Sequence, residues 1–256
     1  MSMHLEVAKK AAKKAGILLL RQFGKKVVSY RKHGLAYVTD ADFKSQTLIK
    51  RILKQATPSF NIISEEAEIE QHGSEYTWYI DPLDGTHNFI HNLPEFGISI
   101  ALAYGNEIIA GVIYIPFQGR MYYAEKGKGA YLNGKKIHVS SRTSKQRYIL
   151  MIELEQATRS STTSLMRIMI PEKNRLRAFA CATYSLANLA SGNIDAYVTL
   201  KTHPWDVAAG MVLVQEAGGK FTTLRGKKGN VNDPGLIFSN GKVHERVLSL
   251  SRKAGL

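Results

Sequence analysis

The chain has 256 residues, 44% of them hydrophobic, which is enough for one large domain with an ample core. Its 35 Lys and Arg residues outnumber 21 Asp and Glu residues, so the net charge of +14 would attract phosphorylated ligands, anionic lipid or nucleic acid. No apolar run approaches the roughly 20 residues that span a bilayer, and the single Cys181 excludes an internal disulfide, so we expect a cytoplasmic globular protein without a membrane span.

The first predicted element is a basic amphipathic helix near the N-terminus. Its apolar stripe at helical spacing consists of Leu5, Ala8, Ala12, Ala15 and Leu19, and the lysines at 9, 10, 13 and 14 fall mainly off it. We expect the stripe to pack on the domain, because a membrane-surface helix would need bulkier apolar residues. A second helix is predicted over residues 42–54, before Pro58.

Residues 96–139 are predicted to form an antiparallel meander. The patterns indicate strands at 97–104, 107–115 and 120–124, and Asn133-Gly134 is typical of a type I′ hairpin turn. Further along, the patterns indicate helices at 181–191, 205–217 and 242–252 and strands at 196–200, 220–224 and 236–239. The Ser- and Thr-rich segment 156–164 is predicted to be a loop between two subdomains, 1–150 and 151–256, of a single domain 1–256.

The most informative motif is Asp81-Pro82-Leu83-Asp84-Gly85-Thr86, which follows a short apolar run. Two carboxylates three residues apart, with a carbonyl between them, can bind a hard divalent cation such as Mg²⁺. Taken alone, the same residues are also good turn chemistry. Two further acidic sites, Glu65-Glu66 after an apolar strand and Asp206 at the start of an apolar helix, favour a site for two or three metal ions and a phosphate.

These motifs resemble those of the inositol monophosphatase family. Residues 78–89 match the family pattern Trp-x-x-Asp-Pro-(Ile or Leu)-Asp-Gly-Thr-x-Asn-Phe, and residues 205–210 match Trp-Asp-x-Ala-(Ala or Gly)-(Gly or Ala). The upstream Glu65-Glu66 pair and Val38-Thr39-x-x-Asp42 follow in the family's order. The resemblance implies a mixed α and β fold, a layered α/β/α/β/α sandwich with the metal site between its two sheet-containing halves. It also implies a homodimer.

The resemblance further implies a Mg²⁺-dependent, Li⁺-sensitive phosphomonoesterase that hydrolyses inositol monophosphate or a related small polyol or sugar phosphate. Glu65, Asp81 and the Leu83 carbonyl would hold one Mg²⁺, and Asp81, Asp84 and Asp206 a second. Glu65 and Thr86 would be catalytic, by holding the attacking water. The substrate-binding residues it implies are Asp84, Gly85, Thr86, Ala182 and Asp206. Asp42 and Glu66 would be outer metal ligands, although Asp42 could equally be a helix cap and Glu66 a solvated neighbour.

Two positions depart from the family pattern. Inositol-specific members carry a glutamate where this chain has Thr199, and a Gly-(Ser or Thr)-Ala segment appears here as Ala180-Cys181-Ala182. A neutral, shorter side chain is a weaker acceptor for ring hydroxyls, so we expect little stringency for inositol. The spread of lysines along the chain favours a solvated surface. It also leaves an alternative, that of an RNA- or transcription-complex-associated accessory protein with weak or secondary phosphatase activity.

Overall fold

Five alternating layers of helices and strands make up the protein, described by a computed structural model over residues 1–31, 37–153, 159–170 and 174–256. The layers run from a helical pair through a seven-stranded sheet, a second helical pair and a five-stranded sheet to a last helical pair. This arrangement confirms the predicted α/β/α/β/α sandwich. The division into subdomains 1–150 and 151–256 stays a prediction.

The first layer consists of α1 (Met3–Gln22) and α2 (Asp40–Ala56), which pack on each other and on the seven-stranded sheet. Every residue of the predicted apolar stripe of α1 is buried, and its alanines allow a close approach to α2. The short antiparallel strands β1 (Ser29–Arg31) and β2 (Tyr37–Thr39) lead into α2. Asp42, in the first turn of α2, stabilises the start of this helix by accepting a hydrogen bond from the Thr39 N–H at 2.8 Å.

The seven-stranded sheet runs in chain order from β3 to β9. Its strands are β3 (Asn61–Ser64), β4 (Tyr76–Asp84), β5 (Gly97–Tyr104), β6 (Glu107–Ile115), β7 (Arg120–Glu125), β8 (Ala130–Leu132) and β9 (Lys135–Ile137). Only β3 and β4 pair in parallel, so the meander is confirmed. Asn133 and Gly134 both have positive φ, at 47° and 87°, as the predicted hairpin turn requires.

The middle layer consists of α5 (Ala182–Ala190) and α6 (Pro204–Glu216), which lie side by side between the two sheets. Both helices are buried along almost their whole length, which explains why their sequences are apolar all round. The short helix α3 (Thr86–Ile90) follows the end of β4. The N-termini of α3, α5 and α6 therefore meet near the end of β4, where the acidic motifs lie.

The second sheet has the strand order β11-β10-β12-β14-β13. Its strands are β10 (Tyr148–Ile152), β11 (Asn174–Arg177), β12 (Ala196–Thr199), β13 (Lys220–Thr223) and β14 (Leu236–Ser239). The outer face of this sheet is covered by α4 (Arg159–Met169) and α7 (His244–Lys253). The predicted loop over 156–164 is thus wrong from residue 159 onward, where α4 begins, and its residues 156–158 lie outside the described chain.

Three hydrophobic clusters hold these layers together. One joins the first helical pair to the seven-stranded sheet, one fills the space between the sheets around α5 and α6, and one lies under α4 and α7. Cys181 is buried, as expected of a lone cysteine. Among the residues described, no helix is long and apolar enough to cross a membrane.

Candidate active site

A cavity of about 110 Å³ opens where β4 and the N-termini of α5 and α6 meet. Eight of the predicted site residues contribute to its wall, namely Glu65, Asp81, Leu83, Asp84, Gly85, Thr86, Ala182 and Asp206. Asp42 and Glu66 are not part of the wall. The structure therefore brings together the inner residues of the predicted site and leaves the two outer candidates behind them.

The Asp81–Asp84 segment is the end of β4, and its pairing with β5 is irregular there. Asp81 opposes Ser99, but Asp84 opposes Gly97, so one extra residue is accommodated between them. The Asp81 carboxylate accepts a hydrogen bond from the Leu83 N–H at 3.0 Å, which fixes the turn. Gly85 then has φ +81°, and a Cβ there would come within 2.8 Å of the Glu95 carbonyl oxygen, so glycine is required.

Asp84 links the end of β4 to the start of α5. Its Oδ2 accepts a hydrogen bond from the Thr183 N–H at 2.6 Å, and the Cys181 thiol lies 3.4 Å from the same oxygen. Burial raises the pKa of Asp84 to about 6, although the bonds from Thr183 and Cys181 oppose the rise. Cys181 is therefore a buried hydrogen-bonding neighbour of a site carboxylate as well as a packing residue.

Asp206 lies in the first turn of α6 and holds that turn closed. Its Oδ2 accepts hydrogen bonds from the His203 N–H at 2.8 Å and the Thr202 hydroxyl at 3.2 Å. Burial raises its pKa well above the ordinary value, and the charge of Asp84 adds to the rise. A carboxylate at a helix N-terminus is stabilised by the helix dipole, but here it is also crowded by another carboxylate.

Neighbouring carboxylates raise the pKa of Asp81, Asp84 and Asp206 in this cavity, in addition to the effect of burial. Asp81 is almost completely buried, and its pKa is raised well above the ordinary value by burial and then by the charges of Glu65, Asp84 and Asp206. Grouped carboxylates of this kind are expensive to ionise together unless a cation offsets them. An oxygen-only donor set is the set that Mg²⁺ prefers, so the chemistry of these residues fits a hard divalent cation.

The carboxylate oxygens do not converge on one point. In the described ranges, no group of three or more His, Cys, Asp or Glu side chains has the spacing of a ready-made metal site. The hydrogen bonds explain this, because backbone N–H groups hold Oδ2 of Asp84 and Oδ2 of Asp206 in separate helix starts. The fit to a cation therefore rests on the donor chemistry and the shared cavity.

Thr86 connects the cavity to the buried Asp42. The Thr86 hydroxyl lies 3.0 Å from the Leu83 carbonyl oxygen and 3.1 Å from Oδ1 of Asp42, so its single proton has two acceptors within reach. Burial raises the pKa of Asp42 to about 6, against the hydrogen bonds from Thr39. Asp42 takes part in capping α2, as the capping-box partner of the N-cap residue Thr39, and it also contacts Thr86, which the sequence did not reveal. Its role as an outer metal ligand stays a prediction.

Glu66 lies on the α2 side of the site. Its backbone N–H donates to Oε1 of Gln46 at 3.1 Å, and Gln46 also accepts a hydrogen bond from the Ser64 hydroxyl. These bonds fix the chain just after β3 and so orient the preceding Glu65. Glu66 contributes to the site through its backbone, whereas its role as an outer metal ligand stays a prediction.

The whole chain matches a known family. The model of the inositol monophosphatase family matches residues 1–256. The chain belongs to the inositol monophosphatase family. A relative from Thermotoga maritima, fructose-1,6-bisphosphatase/inositol-1-monophosphatase, is 34% identical over 253 residues, which cover 96% of this chain and 94% of that protein.

Other relatives in the inositol monophosphatase family carry a different kind of name. The Nus factor SuhB of Pseudomonas aeruginosa is 32% identical over 255 residues, which cover 96% of this chain and 94% of that protein. The crystal structure of extragenic suppressor protein SuhB from Bartonella henselae superposes with a TM-score of 0.94 at 32% identity and covers 98% of this chain and 99% of that one. The family and its fold are thereby established for this chain.

The two departures from the family pattern lie on the cavity wall. Ala180 has φ +47°, a left-handed conformation that a Cβ makes costly and that the glycine of the family pattern adopts readily. The Thr199 hydroxyl donates to the Lys201 carbonyl oxygen at 2.8 Å, so its proton is bound within the protein. The methyl of Ala180 and the uncharged Thr199 thus both alter the cavity wall.

Several wall residues escaped the sequence analysis. They are Tyr37, His87, Glu153, Tyr197, Lys201 and Thr202. Tyr197 could have been found from strand alternation, because it lies two residues before Thr199 and therefore on the same face of β12. Thr202 could have been found from its position four residues before Asp206, at the start of α6, where its hydroxyl bonds to the Asp206 carboxylate.

Proposed function

We propose that this protein is a Mg²⁺-dependent phosphomonoesterase that hydrolyses inositol monophosphate or a related small polyol or sugar phosphate. The observation that carries the proposal is the cavity in which Glu65, Asp81, Asp84 and Asp206 lie together beside Thr86. Phosphate monoesters hydrolyse extremely slowly unaided, so an enzyme must position a water and offset the phosphoryl charge. Family membership over residues 1–256 supports the same activity.

The proposed cation ligands are Glu65, Asp81 and the Leu83 carbonyl for one Mg²⁺, and Asp81, Asp84 and Asp206 for a second. When bound, these ions would supply Lewis acidity that lowers the pKa of water and neutralises phosphate charge. The Leu83 carbonyl can accept from Thr86 and still retain a lone pair, because a carbonyl oxygen has two. Two or three ions per site are expected.

Thr86 and Glu65 are proposed to hold the attacking water. Because the Thr86 proton is engaged by Leu83 or Asp42, the hydroxyl oxygen turns its lone pairs away from these acceptors and can accept a hydrogen bond from a water in the cavity. Glu65 lies in the same wall and would take the water's proton. Asp42 acts as a positioning residue, since it orients the Thr86 hydroxyl from behind the wall.

The substrate is proposed to contact Asp84, Gly85, Thr86, Ala182 and Asp206 with little selectivity for inositol. Thr199 has no charge and its proton is bound to Lys201, so this wall position offers ring hydroxyls only a weak acceptor. Phosphate release should be measured with inositol 1-phosphate, glycerol 2-phosphate, histidinol phosphate, fructose 1,6-bisphosphate and a 3′-phosphoadenosine nucleotide, with and without Mg²⁺. We expect several substrates to be hydrolysed, and a strong preference for the first would refute the relaxed pocket.

Two further properties are proposed from family membership. We expect Li⁺ to inhibit phosphate release, and we expect the protein to be a homodimer. Inhibition should be measured by titrating Li⁺ at fixed Mg²⁺, with Na⁺ at equal ionic strength as the control. Oligomeric state should be measured by sedimentation equilibrium, where a single species of about twice the 28.5 kDa chain mass supports the dimer.

A second function, association with RNA or the transcription machinery, is favoured by one surface groove. Lys9, Lys10 and Lys13 of α1 line it opposite Tyr114 and Tyr123, and the Lys9 ammonium lies 4.3 Å from the centre of the Tyr123 ring. Both tyrosines are buried, so the exposed Lys10 and Lys13 are the groups of this groove that suit the phosphate backbone of a nucleic acid. The Pseudomonas aeruginosa relative is named a Nus factor.

This second function should be tested by RNA binding at increasing salt. Lys10 and Lys13 are exposed, so the double substitution Lys10→Ala and Lys13→Ala should weaken RNA binding and flatten its salt dependence without affecting phosphate release. The inactive Asp84→Asn protein should bind RNA like the wild type. If RNA binding instead disappears with Asp84→Asn and survives in the lysine variant, the groove is not the binding surface.

A further inference from the structure

One face of β12 and its extension forms a wall of the cavity. Tyr197, Thr199 and Lys201 lie at alternate positions, and all three line it. Alternation along β12 places Tyr197 and Thr199 on the same side, and the bend that follows the strand brings Lys201 to the same wall. This wall belongs to the five-stranded sheet, whereas Asp81 and Asp84 come from the seven-stranded sheet.

Two of these three side chains, those of Tyr197 and Thr199, are buried in the wall. The Tyr197 hydroxyl is buried and makes no hydrogen bond within the described part of the chain. Thr199 is also buried, and its bond to the Lys201 carbonyl fixes the backbone at the point where the lysine emerges. Burial and this hydrogen bond thus hold the wall in one conformation at this point.

Lys201 is the residue of this wall with a positive charge. Its side chain is exposed, and its ammonium forms no ion pair with any residue of the ranges 1–31, 37–153, 159–170 and 174–256. The carboxylates Asp81, Asp84 and Asp206 lie in the same cavity and would be offset by cations and the reacting phosphate. Glu153 also lines the cavity, and its charge acts on Tyr197. The exposed ammonium of Lys201, without an ion pair in the described ranges, therefore offers a separate site for a second negative charge.

We propose that Lys201 is a specificity-determining residue that binds a second anionic group, a phosphate or a carboxylate, on the substrate. The inference rests on the proposed phosphatase function and narrows its substrate class to phosphomonoesters with two anionic groups. Thr199 supports this selection because it brings no negative charge beside Lys201.

The test compares substrates that differ by one anionic group. One pair is glycerol 3-phosphate and 3-phosphoglycerate, and the other is fructose 1-phosphate and fructose 1,6-bisphosphate. For each pair, the ratio of kcat/KM between the doubly and singly anionic substrate is measured in the wild type and in Lys201→Gln. Lys135→Gln is the matched control, because Lys135 is an exposed lysine of β9 that lies outside the cavity wall.

We expect the wild type to favour the doubly anionic member of at least one pair. Lys201→Gln should lower that ratio about fivefold, whereas Lys135→Gln should leave it unchanged. Raising the ionic strength should lower the wild-type ratio and not the ratio of Lys201→Gln. An unchanged ratio in Lys201→Gln overturns the proposal, and so does an equal loss on both members, which would place Lys201 on the reacting phosphate.

The experiment also separates failure of the proposed phosphatase function from failure of the anion site at Lys201. If the wild type hydrolyses inositol 1-phosphate but none of the four compounds, the phosphatase function stands and the anion site is overturned. If it hydrolyses neither inositol 1-phosphate nor the four compounds, the proposed function fails, and binding of 3-phosphoglycerate and glycerol 3-phosphate is then measured by calorimetry. A wild-type preference for 3-phosphoglycerate that Lys201→Gln removes would still support the anion site. Equal affinity for the two compounds would overturn it.

Discussion

Replacing Asp84 by asparagine should abolish phosphatase activity and make the metal-free protein more stable. The folded protein raises the pKa of Asp84 from 3.8 to about 6 through burial, so ionising this carboxylate costs folding free energy. Each pKa unit corresponds to about 1.4 kcal/mol, and the shift therefore costs roughly 2 to 3 kcal/mol at neutral pH. Asparagine has no charge to bury, and its carbonyl oxygen can still accept the Thr183 N–H bond.

The pH dependence gives this prediction a clear sign. Because the folded-state pKa lies above the unfolded-state value, the wild type bears no cost below about pH 3.8 and the full cost above about pH 6. The gain in stability of Asp84→Asn should therefore be largest near pH 7.5 and shrink as the pH falls toward 4. Urea unfolding in the presence of EDTA, followed at pH 7.5 and at pH 4.5, measures both values.

Adding Mg²⁺ should reverse the order of stabilities. A cation that binds only the folded state stabilises it by an amount set by its concentration and affinity, and Asp84→Asn lacks a proposed ligand. The wild type should therefore gain more stability from Mg²⁺ than the variant does. If metal-free Asp84→Asn is no more stable than the wild type at pH 7.5, or if it retains activity, the electrostatic reasoning is wrong.

Asp195→Asn is the matched control, since Asp195 is a buried carboxylate remote from the cavity wall. It accepts hydrogen bonds from the Ile149 N–H at 2.8 Å, the Ser140 hydroxyl and Arg142. An amide group there must turn its NH₂ toward donors that need an acceptor, which should destabilise the protein by about 1 to 3 kcal/mol. A stabilising effect of Asp195→Asn would show that removing any buried carboxylate stabilises the protein, and that the effect of Asp84→Asn is not specific to the cavity.

Two further substitutions test the packing around the site. Ala180→Gly should stabilise the protein by about 1 kcal/mol, because φ +47° is costly for a residue with a Cβ. Thermal unfolding would show this as a higher Tm, and a lower Tm would refute the backbone strain. Gly210→Ala should destabilise it by about 1 to 3 kcal/mol, because a Cβ on α6 would come within 2.2 Å of Leu186 on α5, and unchanged urea unfolding would contradict that close approach.

The sequence predicted best the elements that carry a strong local pattern. The strands Gly97–Tyr104, Glu107–Ile115 and Leu236–Ser239 begin and end where they were expected, because turn signals such as Gly105-Asn106 bound these apolar runs. The helix α4 was missed, because its first half is rich in Ser and Thr, which favour loops and caps. Its core contacts, Leu165 and Met169, come only in its second half.

The missed strands illustrate a different difficulty. Tyr148–Ile152 is a continuous apolar run with no periodicity to separate a buried strand from a helix. Asn174–Arg177 is a polar edge strand without an apolar stripe, and it becomes a strand because it pairs in parallel with β10. Long-range pairing decides both, and a single sequence does not display it.

The candidate site was predictable to the extent that its residues are adjacent in sequence or belong to a recognisable motif. The motif placed Asp81, Leu83, Asp84 and Thr86, which the structure finds on one wall. The contact between Thr86 and Asp42 depends on α2 packing beside β4, 44 residues apart in the chain. Such a contact becomes visible only when the first helical layer is placed on the sheet.

The layers also separate the chemistry of this cavity from its selectivity. Asp84 ends a strand of the seven-stranded sheet and holds the start of α5 through Thr183, so the proposed cation ligands are fixed to the middle helices. Tyr197 and Thr199 come from the other sheet and, in the part of the chain that the structure describes, share no hydrogen bond with those carboxylates. Substitutions on β12 can therefore change which phosphate ester binds while the carboxylates keep their positions. This predicts that Lys201→Gln changes the order of preference among phosphate esters, whereas Asp84→Asn abolishes phosphate release from all of them, and kcat/KM over the substrate panel measures both effects.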